Sequence, residues 1–319
     1  MMRTKILGRT GLETPIVGLG TIFIGSPPPS GNIAELAMDE DLGAETTVAA
    51  IEAGATWIDT APLYGGTISE KIIGQALKSR PDLAKQCTVV TKAGNHKEGV
   101  DHAFESILRS VEASLMRLGR DSFDIVYIHD ALDVPLNFVM GPDGSFAALR
   151  KLQKEGVIKF IGSATNDPVI NVRYIETGEF DAAVVPNAWS LLNQTAADRI
   201  LPAATKHNTG ISCGTPLERG LLATGPIDGA TYVRRNFSPE CVAHVGKIQN
   251  LCQAYDVPLL AASLQWPTRH PMVANVIPGA RLPAEATANG QAGSVAIPEA
   301  FWDDLAPLVR HWPEAMPFD

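Results

Sequence analysis

Short apolar runs alternate with amphipathic stretches along most of the chain. IVGLGT (16–21) is a buried-strand run, and TTVAAIEAG (46–54) has helical spacing and ends in glycine. The alternation continues with the strand ATWIDT (55–60) and the helix SEKIIGQALKS (69–79), which carries a Ser cap and Glu in its first turn. The strand CTVVTK (87–92), the helix AFESILRSVEASLMRLG (103–119) and the strand FDIVYIH (123–129) follow, then the helix SFAALRKLQKEG (145–156) and the strand VIKFIGSA (157–164). A helix near 168–177, a strand FDAAVVPN (180–187), a helix near 195–207 and a strand GISCG (210–214) come next. A long helical region over 239–270 is broken near Asp256-Val257-Pro258, and VANVIPG (273–279) is the last strand, with a helix near 283–292.

Strand runs that each lead into a helix imply parallel strands joined by right-handed crossovers. Eight such units in one chain of 319 residues point to an α/β fold, a closed (β/α)8 barrel. An open doubly wound sheet is the alternative that strand counting leaves standing. KILGRTGLETPI (5–16) reads as a β-hairpin ahead of the barrel that plugs its N-terminal end. FIGSPPPSGN (23–32) is a loop that residues 33–43 extend, on the face where barrel enzymes do chemistry. No linker and no sequence repeat divides residues 1–319, which read as one barrel domain.

Charge and composition narrow the function classes. With a net charge of −9, a nucleic-acid partner is not expected, although a local basic patch can still hold a cofactor phosphate. No apolar stretch is long enough for a membrane helix, and MMRTKILGRTGLETPI lacks the apolar core of a signal peptide, reading as mature sequence. Cys87, Cys213, Cys241 and Cys252 are scattered without CxxC spacing, which fits reduced thiols in a cytoplasmic protein. The seven histidines show no HxH or HExxH spacing, so no metal site is expected.

Reactive residues fall where the strands end. Asp59 ends the second strand, Tyr64 lies five residues on, Lys92 ends the third strand and His129 the fourth. In a barrel these ends meet at one mouth. Reducing a carbonyl requires hydride at carbon and a proton at oxygen. A tyrosine with a pKa near 10 holds its proton too tightly for easy exchange, and a neighbouring ammonium lowers that pKa. Lys92 can supply the charge, Asp59 can hold and balance Lys92, and His129 can orient the substrate oxygen. Taken singly, each residue is better explained as a turn cap, a solvated strand end or a structural hydrogen bond, the last applying to His129-Asp130. Together at successive strand ends they favour a site.

With these residues in place the chain resembles the aldo-keto reductases. GLGT (18–21), GATWIDTAPLYGGTISEKIIGQAL (54–77), VVTKAG (89–94) and LMRLGRDSFDIVYIHD (115–130) follow that family's signatures in order. KLQKEGVIKFIGSATN (151–166), PLERGLL (216–222) and VIPGARLPAEATAN (276–289) are similar to its later motifs. The resemblance implies a barrel that binds NAD or NADP in extended form, and it makes Asp59, Tyr64, Lys92 and His129 the catalytic tetrad. It assigns cofactor contacts to Thr21, Asp59, Ser163, Asn166 and Asn187. Thr215, Leu217 and Arg219 match its pyrophosphate loop, and Gly279, Ala280, Arg281, Glu285 and Asn289 its adenosine end.

Three positions depart from the family pattern. Gly214 stands where many members place an aromatic residue under the nicotinamide, with Trp189 as the candidate replacement and an ordinary core aromatic as the alternative. Gly279 and Glu285 stand where many NADPH-using members have Lys and Arg. A carboxylate repels a 2′-phosphate but accepts a hydrogen bond from a ribose hydroxyl, so NAD is preferred, with Arg281 the residue that could still serve NADP. PGAR…PAE…AN and WSLLNQ (189–194) look most like the branch of aldose 1-dehydrogenases and pyridoxal 4-dehydrogenase. That implies a small carbonyl or alcohol substrate, such as a cyclic hemiacetal to be oxidised or an aldehyde or ketone to be reduced. Phe23, Tyr64, His129 and Trp189 are candidate substrate contacts, with Leu63 and the loop 131–143, including Phe138, as further walls. Some barrels of this kind resemble channel subunits that bind cofactor to regulate a partner, which is the alternative to turnover.

Overall fold

The computed structural model describes residues 2–26, 35–229, 232 and 235–315. Eight strands pair in sequence order, each neighbour parallel to the next. They are β1 (Leu19–Gly20), β2 (Trp57–Asp59), β3 (Thr88–Ala93), β4 (Phe123–His129), β5 (Ile158–Ala164), β6 (Ala182–Val185), β7 (Gly210–Cys213) and β8 (Val273–Val276). Val17 and Gly20 also bridge in parallel to Val276 and Gly279. Gly18 N and Gly20 N donate to Val276 O and Pro278 O at 2.8 and 2.9 Å, and Val276 N donates to Ile16 O at 2.9 Å. The first strand therefore pairs with the last, and the sheet is a closed barrel; an open doubly wound sheet would leave edges. The glycines of GLGT permit this seam. A Cβ on Gly18 would stand 2.7 Å from Trp57 O, and one on Gly20 2.7 Å from Ile277 O.

Alternate strand positions point inward, so Trp57, Val90, Ile125, Tyr127, Ala164, Val184 and Ala274 fill the barrel. Leu7 and Leu12 join this inner cluster from the N-terminal hairpin, whose strands Thr4–Ile6 and Glu13–Pro15 pair antiparallel. Lys5 Nζ donates to the carbonyls of Thr268, His270 and Val273 at 2.7–2.8 Å, which ties the hairpin to the chain entering β8. The hairpin thus plugs the end of the barrel opposite the mouth, as its sequence suggests.

The helical layer departs from the sequence reading where caps and tertiary contacts outweigh apolar spacing. The first helix runs Glu40–Glu52, beginning inside the stretch read as loop, because the Asp39 side chain accepts Leu42 N and Glu40 and Asp41 occupy its first turn. The triple-proline segment of the 23–32 loop lies outside the described residues. Ser69 is not a cap. The helix Ile68–Ser79 starts after Thr67, and the Ser69 hydroxyl bonds Thr21 Oγ1 at 2.7 Å and Thr60 Oγ1 at 3.0 Å inside the protein. The long helical region divides as expected into Pro239–Ala254 and Leu259–Gln265, across Asp256 with its positive φ of 53° and Pro258. The helix Glu299–Leu305 and the small hairpin of Asn95–His96 with Gly99–Val100 were not anticipated. Among the described residues no helix is long and apolar enough to cross a membrane.

Candidate active site

At the C-terminal ends of β2, β3 and β4 the four expected side chains converge. Lys92 Nζ donates to Asp59 Oδ1 at 2.5 Å and to Thr60 O at 2.9 Å. It also lies 4.8 Å from the centre of the Tyr64 ring. The Tyr64 and His129 rings meet edge to face, with centroids 5.9 Å apart. Asp59, Lys92 and His129 are buried, and Tyr64 retains 9 % exposure. Strand ends position the first three; Tyr64 stands on the turn that joins β2 to its helix.

Burial sets the protonation states. It pushes the Tyr64 hydroxyl up to about 12, against the opposing pull of the Lys92 ammonium. The sequence-based expectation that Lys92 brings Tyr64 below its ordinary value is therefore reversed in this site, because desolvating a phenolate costs more than one cation returns. Burial and then Lys92 hold His129 well below the usual histidine range, so its ring is neutral at pH 7. Burial alone would lower Lys92, but the Asp59 carboxylate and Tyr64 raise it, which keeps the ammonium charged. His129 Nδ1 is buried without a hydrogen-bond partner among the described residues.

A second polar group continues around the mouth from β4 to the loop after β7. Asp130 Oδ1 accepts Asn166 N at 2.7 Å and Oδ2 accepts Asn166 Nδ2 at 2.9 Å. Asn187 Nδ2 donates to Asn166 Oδ1 at 3.2 Å. Arg219 and Arg235 each extend an Nη2 to Asn187 Oδ1, at 3.4 and 3.5 Å. Ser163, near the end of β5, has a buried hydroxyl with no partner among the described residues. Two carboxamides and a free hydroxyl at adjoining strand ends fit the amide of a nicotinamide, which both donates and accepts.

The loop that leaves β7 holds Thr215, Glu218 and Arg219 at positive φ. Glu218 lies beneath it, fully buried, accepting Ser190 Oγ at 2.6 Å, with Arg235 Nε 4.0 Å from its other oxygen. Burial raises Glu218 to about 7 against those partners. Sequence reasoning quoted PLERGLL but passed over Glu218, and it missed Asp130 and Arg235 as site residues. The signal for Glu218 was a single acid beside Arg219 in a turn otherwise made of Pro, Leu and Gly.

Several candidates have other uses. The Thr21 hydroxyl donates to Asp59 O at 2.9 Å and is met by Ser69, so it braces the end of β2. Trp189 does not replace the missing aromatic residue. Its indole stacks on Trp266 at 4.7 Å, meets His270 edge-on and donates to Pro267 O, so it belongs to the packing between barrel and helices. The same contacts hold the ring that the sequence offered as a substrate contact. At Gly214 a Cβ would stand 3.0 Å from Pro186 Cβ, so Pro186 crowds the place a side chain would need. Phe23 comes within 3.9 Å of a Cβ placed on Gly279, half-buried like Leu63 and Leu217, while Phe138 is exposed on the 131–143 loop. At the far end of the mouth, Glu285 accepts Arg281 N at 2.8 Å and Arg281 Nη2 at 2.6 Å. Ala280 is buried, and Asn289 Nδ2 donates to Gly279 O at 3.3 Å. Among the described residues no three His, Cys, Asp or Glu side chains cluster as a metal site.

Comparison with known proteins accounts for this arrangement. Residues 17–310 match the model of the aldo/keto reductase family. The chain is 30 % identical to a D-threo-aldose 1-dehydrogenase of a Pseudomonas species, over 93 % of this chain and 94 % of that one. It is 27 % identical to a pyridoxal 4-dehydrogenase of Microbacterium luteolum, over 94 % and 96 %. It is 30 % identical to an NADH-specific methylglyoxal reductase of Escherichia coli, over 99 % of both. The solved holo form of an aldo-keto reductase from Bacillus halodurans superposes with a TM-score of 0.79 at 23 % identity, over 99 % of both chains. The chain belongs to the aldo/keto reductase family of oxidoreductases, whose members use NAD(P)H.

Proposed function

We propose that this protein is an NAD(P)-dependent dehydrogenase or reductase of a small polar carbonyl/alcohol pair, with Asp59, Tyr64, Lys92 and His129 as its catalytic residues. The observation that carries this reading is the buried Lys92–Asp59 ion pair set beneath the Tyr64 ring and beside a neutral His129. When bound, the nicotinamide supplies or accepts the hydride. In reduction the Tyr64 hydroxyl, which keeps its proton at neutral pH, gives it to the substrate oxygen as that oxygen gains negative charge. In oxidation Tyr64 takes the proton back. Lys92 offsets the charge that develops on Tyr64, Asp59 and Thr60 O fix Lys92, and His129 holds the substrate oxygen. Ser163, Asn166 and Asn187 receive the nicotinamide amide, the loop 215–219 the phosphates, and residues 279–289 the adenosine.

NAD is the preferred cofactor in this reading. Arg281, the cation at the adenosine end among the described residues, is already paired with Glu285, so a 2′-phosphate would have to displace a carboxylate. The NADH-specific relative supports the same preference. The aldose and pyridoxal dehydrogenases among the relatives support oxidation of a cyclic hemiacetal, and the methylglyoxal reductase supports reduction of a small aldehyde or ketone. Titrating NADH and NADPH by tryptophan fluorescence, then screening aldoses, pyridoxal and methylglyoxal with the tighter one, tests the proposal. Tight NADH binding with turnover of one of these supports it, tighter NADPH binding overturns the cofactor preference, and binding of neither overturns the enzyme reading.

A further inference from the structure

Asp130 belongs to none of the roles assigned so far, yet the backbone bends sharply to place it. Its φ is +45°, in the left-handed region where residues other than glycine are uncommon, and its N–H donates to Ala164 O at 2.8 Å. Asn187 at the end of β6 has a φ of +55°. Asp and Asn are the non-glycine residues that enter this region most readily, and both stand here at strand ends on the mouth. The bend carries the Asp130 carboxylate away from its own strand toward β5. Its nearer oxygen lies 3.8 Å from His129 Nε2, beyond hydrogen-bond reach, whereas both oxygens accept from Asn166 within 2.9 Å. The carboxylate is aimed at Asn166 and not at the catalytic imidazole.

This clamp has a directional consequence. A carboxylate only accepts, so Asn166 must turn its Nδ2 toward Asp130 and its Oδ1 toward Asn187. Asn187 must then donate to Asn166, which leaves its own Oδ1 facing the guanidinium groups of Arg219 and Arg235. The two carboxamides form a chain polarised from an anion at one end to two cations at the other. Hydrogen bonds aligned in this way strengthen one another in a buried setting. Neither amide can flip without setting donor against donor or acceptor against acceptor.

We propose that Asp130 is a positioning residue for the nicotinamide cofactor, acting through Asn166 by fixing the sense in which the Asn166–Asn187 pair presents its donors and acceptors. The proposal rests on the cofactor reading above. Gly214 adds to its weight: with no side chain there to stack under the ring, the amide receptor carries more of the orientation.

The test is a double-variant cycle on cofactor affinity. Dissociation constants for NADH and NADPH are measured by fluorescence titration on wild type, Asp130→Asn, Asn166→Ala and the two combined, with the thermal midpoint of each cofactor-free protein recorded alongside. If Asp130 acts through Asn166, each single variant weakens binding by about tenfold or more, the order expected for loss of a charge-assisted hydrogen bond at a buried site. The combined variant is then no weaker than Asn166→Ala alone. Wild-type affinity in Asp130→Asn, a loss that adds in the combined variant, or a lowered midpoint with unchanged affinity each overturns the proposal. Should Asp130→Asn fail to fold, Asp130→Ser takes its place in the same cycle and is read the same way: wild-type affinity, or a loss that adds to that of Asn166→Ala, overturns the proposal. Failure of the wild type to bind either nucleotide is a separate result, which removes the cofactor reading and this proposal with it.

Discussion

Replacing Lys92 with alanine separates what the ion pair does for folding from what it does for chemistry. Among the described residues Lys92 is the one donor to Asp59 Oδ1, and Asp59 Oδ2 has no hydrogen-bond partner. Both residues are 2 % exposed, so water does not replace the lost ammonium. Breaking a buried pair from one side costs about 3–5 kcal/mol, because an uncompensated charge is left behind. Unfolding entropy of about 2.1 cal/mol/K per residue over 319 residues converts this to a fall in Tm of about 4–7 °C. Lys92→Met combined with Asp59→Asn removes both charges at similar volume and should regain most of that loss, since neutral replacements of buried pairs are often tolerated. Neither variant should regain turnover, because both remove the cation 4.8 Å from the Tyr64 ring. Thermal melts with steady-state rates on the same preparations give the result. A Lys92→Ala protein as stable as wild type, or a double variant no more stable than the single, would refute the claim that the pair is held charged in a water-free setting. Recovery of activity in the double variant would refute the role given to Lys92.

Three further outcomes follow from the geometry. Tyr64→Phe removes only the proposed proton donor, so kcat should fall by about 10²–10⁴ while NADH affinity stays near normal, and stopped-flow rates with parallel titrations check both. Glu285→Gln frees Arg281 from its carboxylate partner and should move the NADPH-to-NADH affinity ratio toward NADPH by about tenfold, less than a buried pair would give because both side chains are about one-third exposed; an unchanged ratio removes Glu285 from cofactor selection. Glu218 titrates near 7 when folded and near 4.5 when unfolded, so folding takes up a proton between those values and wild-type stability falls as pH rises through that window. Glu218→Gln should therefore melt like wild type below pH 4.5 and be more stable at pH 8 by an amount on the order of 3 kcal/mol, with equal midpoints at pH 8 as the contrary result.

The barrel and the convergence of Asp59, Tyr64, Lys92 and His129 were legible because their signals are local. Each strand is a short apolar run, and the polar residue that ends it stands out against that run, as Asp59 and His129 do. Closure of the barrel was visible only as a count of units; the contacts that settle it, Gly18 and Gly20 against Val276 and Pro278, join residues some 260 positions apart. What local pattern misjudged was decided by tertiary neighbours. Ser69 looks like a helix cap until Thr21 and Thr60 claim its hydroxyl. Trp189 sits beside a motif, and nothing in its vicinity in the sequence shows that Trp266 and His270 hold its ring in the helical layer. The sign of the Tyr64 shift was misread for a related reason: residue types show that a cation is near, but the opposing desolvation depends on how many atoms cover the phenol.

Charge distribution around the mouth follows from distances that no composition reports. The chain as a whole is acidic, with a net charge of −9, yet the part of the mouth next to the loop proposed for phosphates gathers Arg219 and Arg235 around Asn187. The carboxylate beneath them does not cancel this. Burial raises both carboxyls, but Lys92 meets Asp59 at 2.5 Å and opposes that rise directly, whereas Arg235 Nε comes only to 4.0 Å from Glu218, which is raised to about 7 and takes up a proton near neutrality. Two guanidinium groups over a half-protonated carboxyl leave a local surplus of positive charge. Asp130, fixed at the other end of the carboxamide chain, supplies the matching negative pole where the nicotinamide is proposed to lie. The field along the mouth thus runs with the charge of the proposed dinucleotide, phosphates at the cationic end, and it does so although the protein's net charge would repel the same molecule from most of its surface.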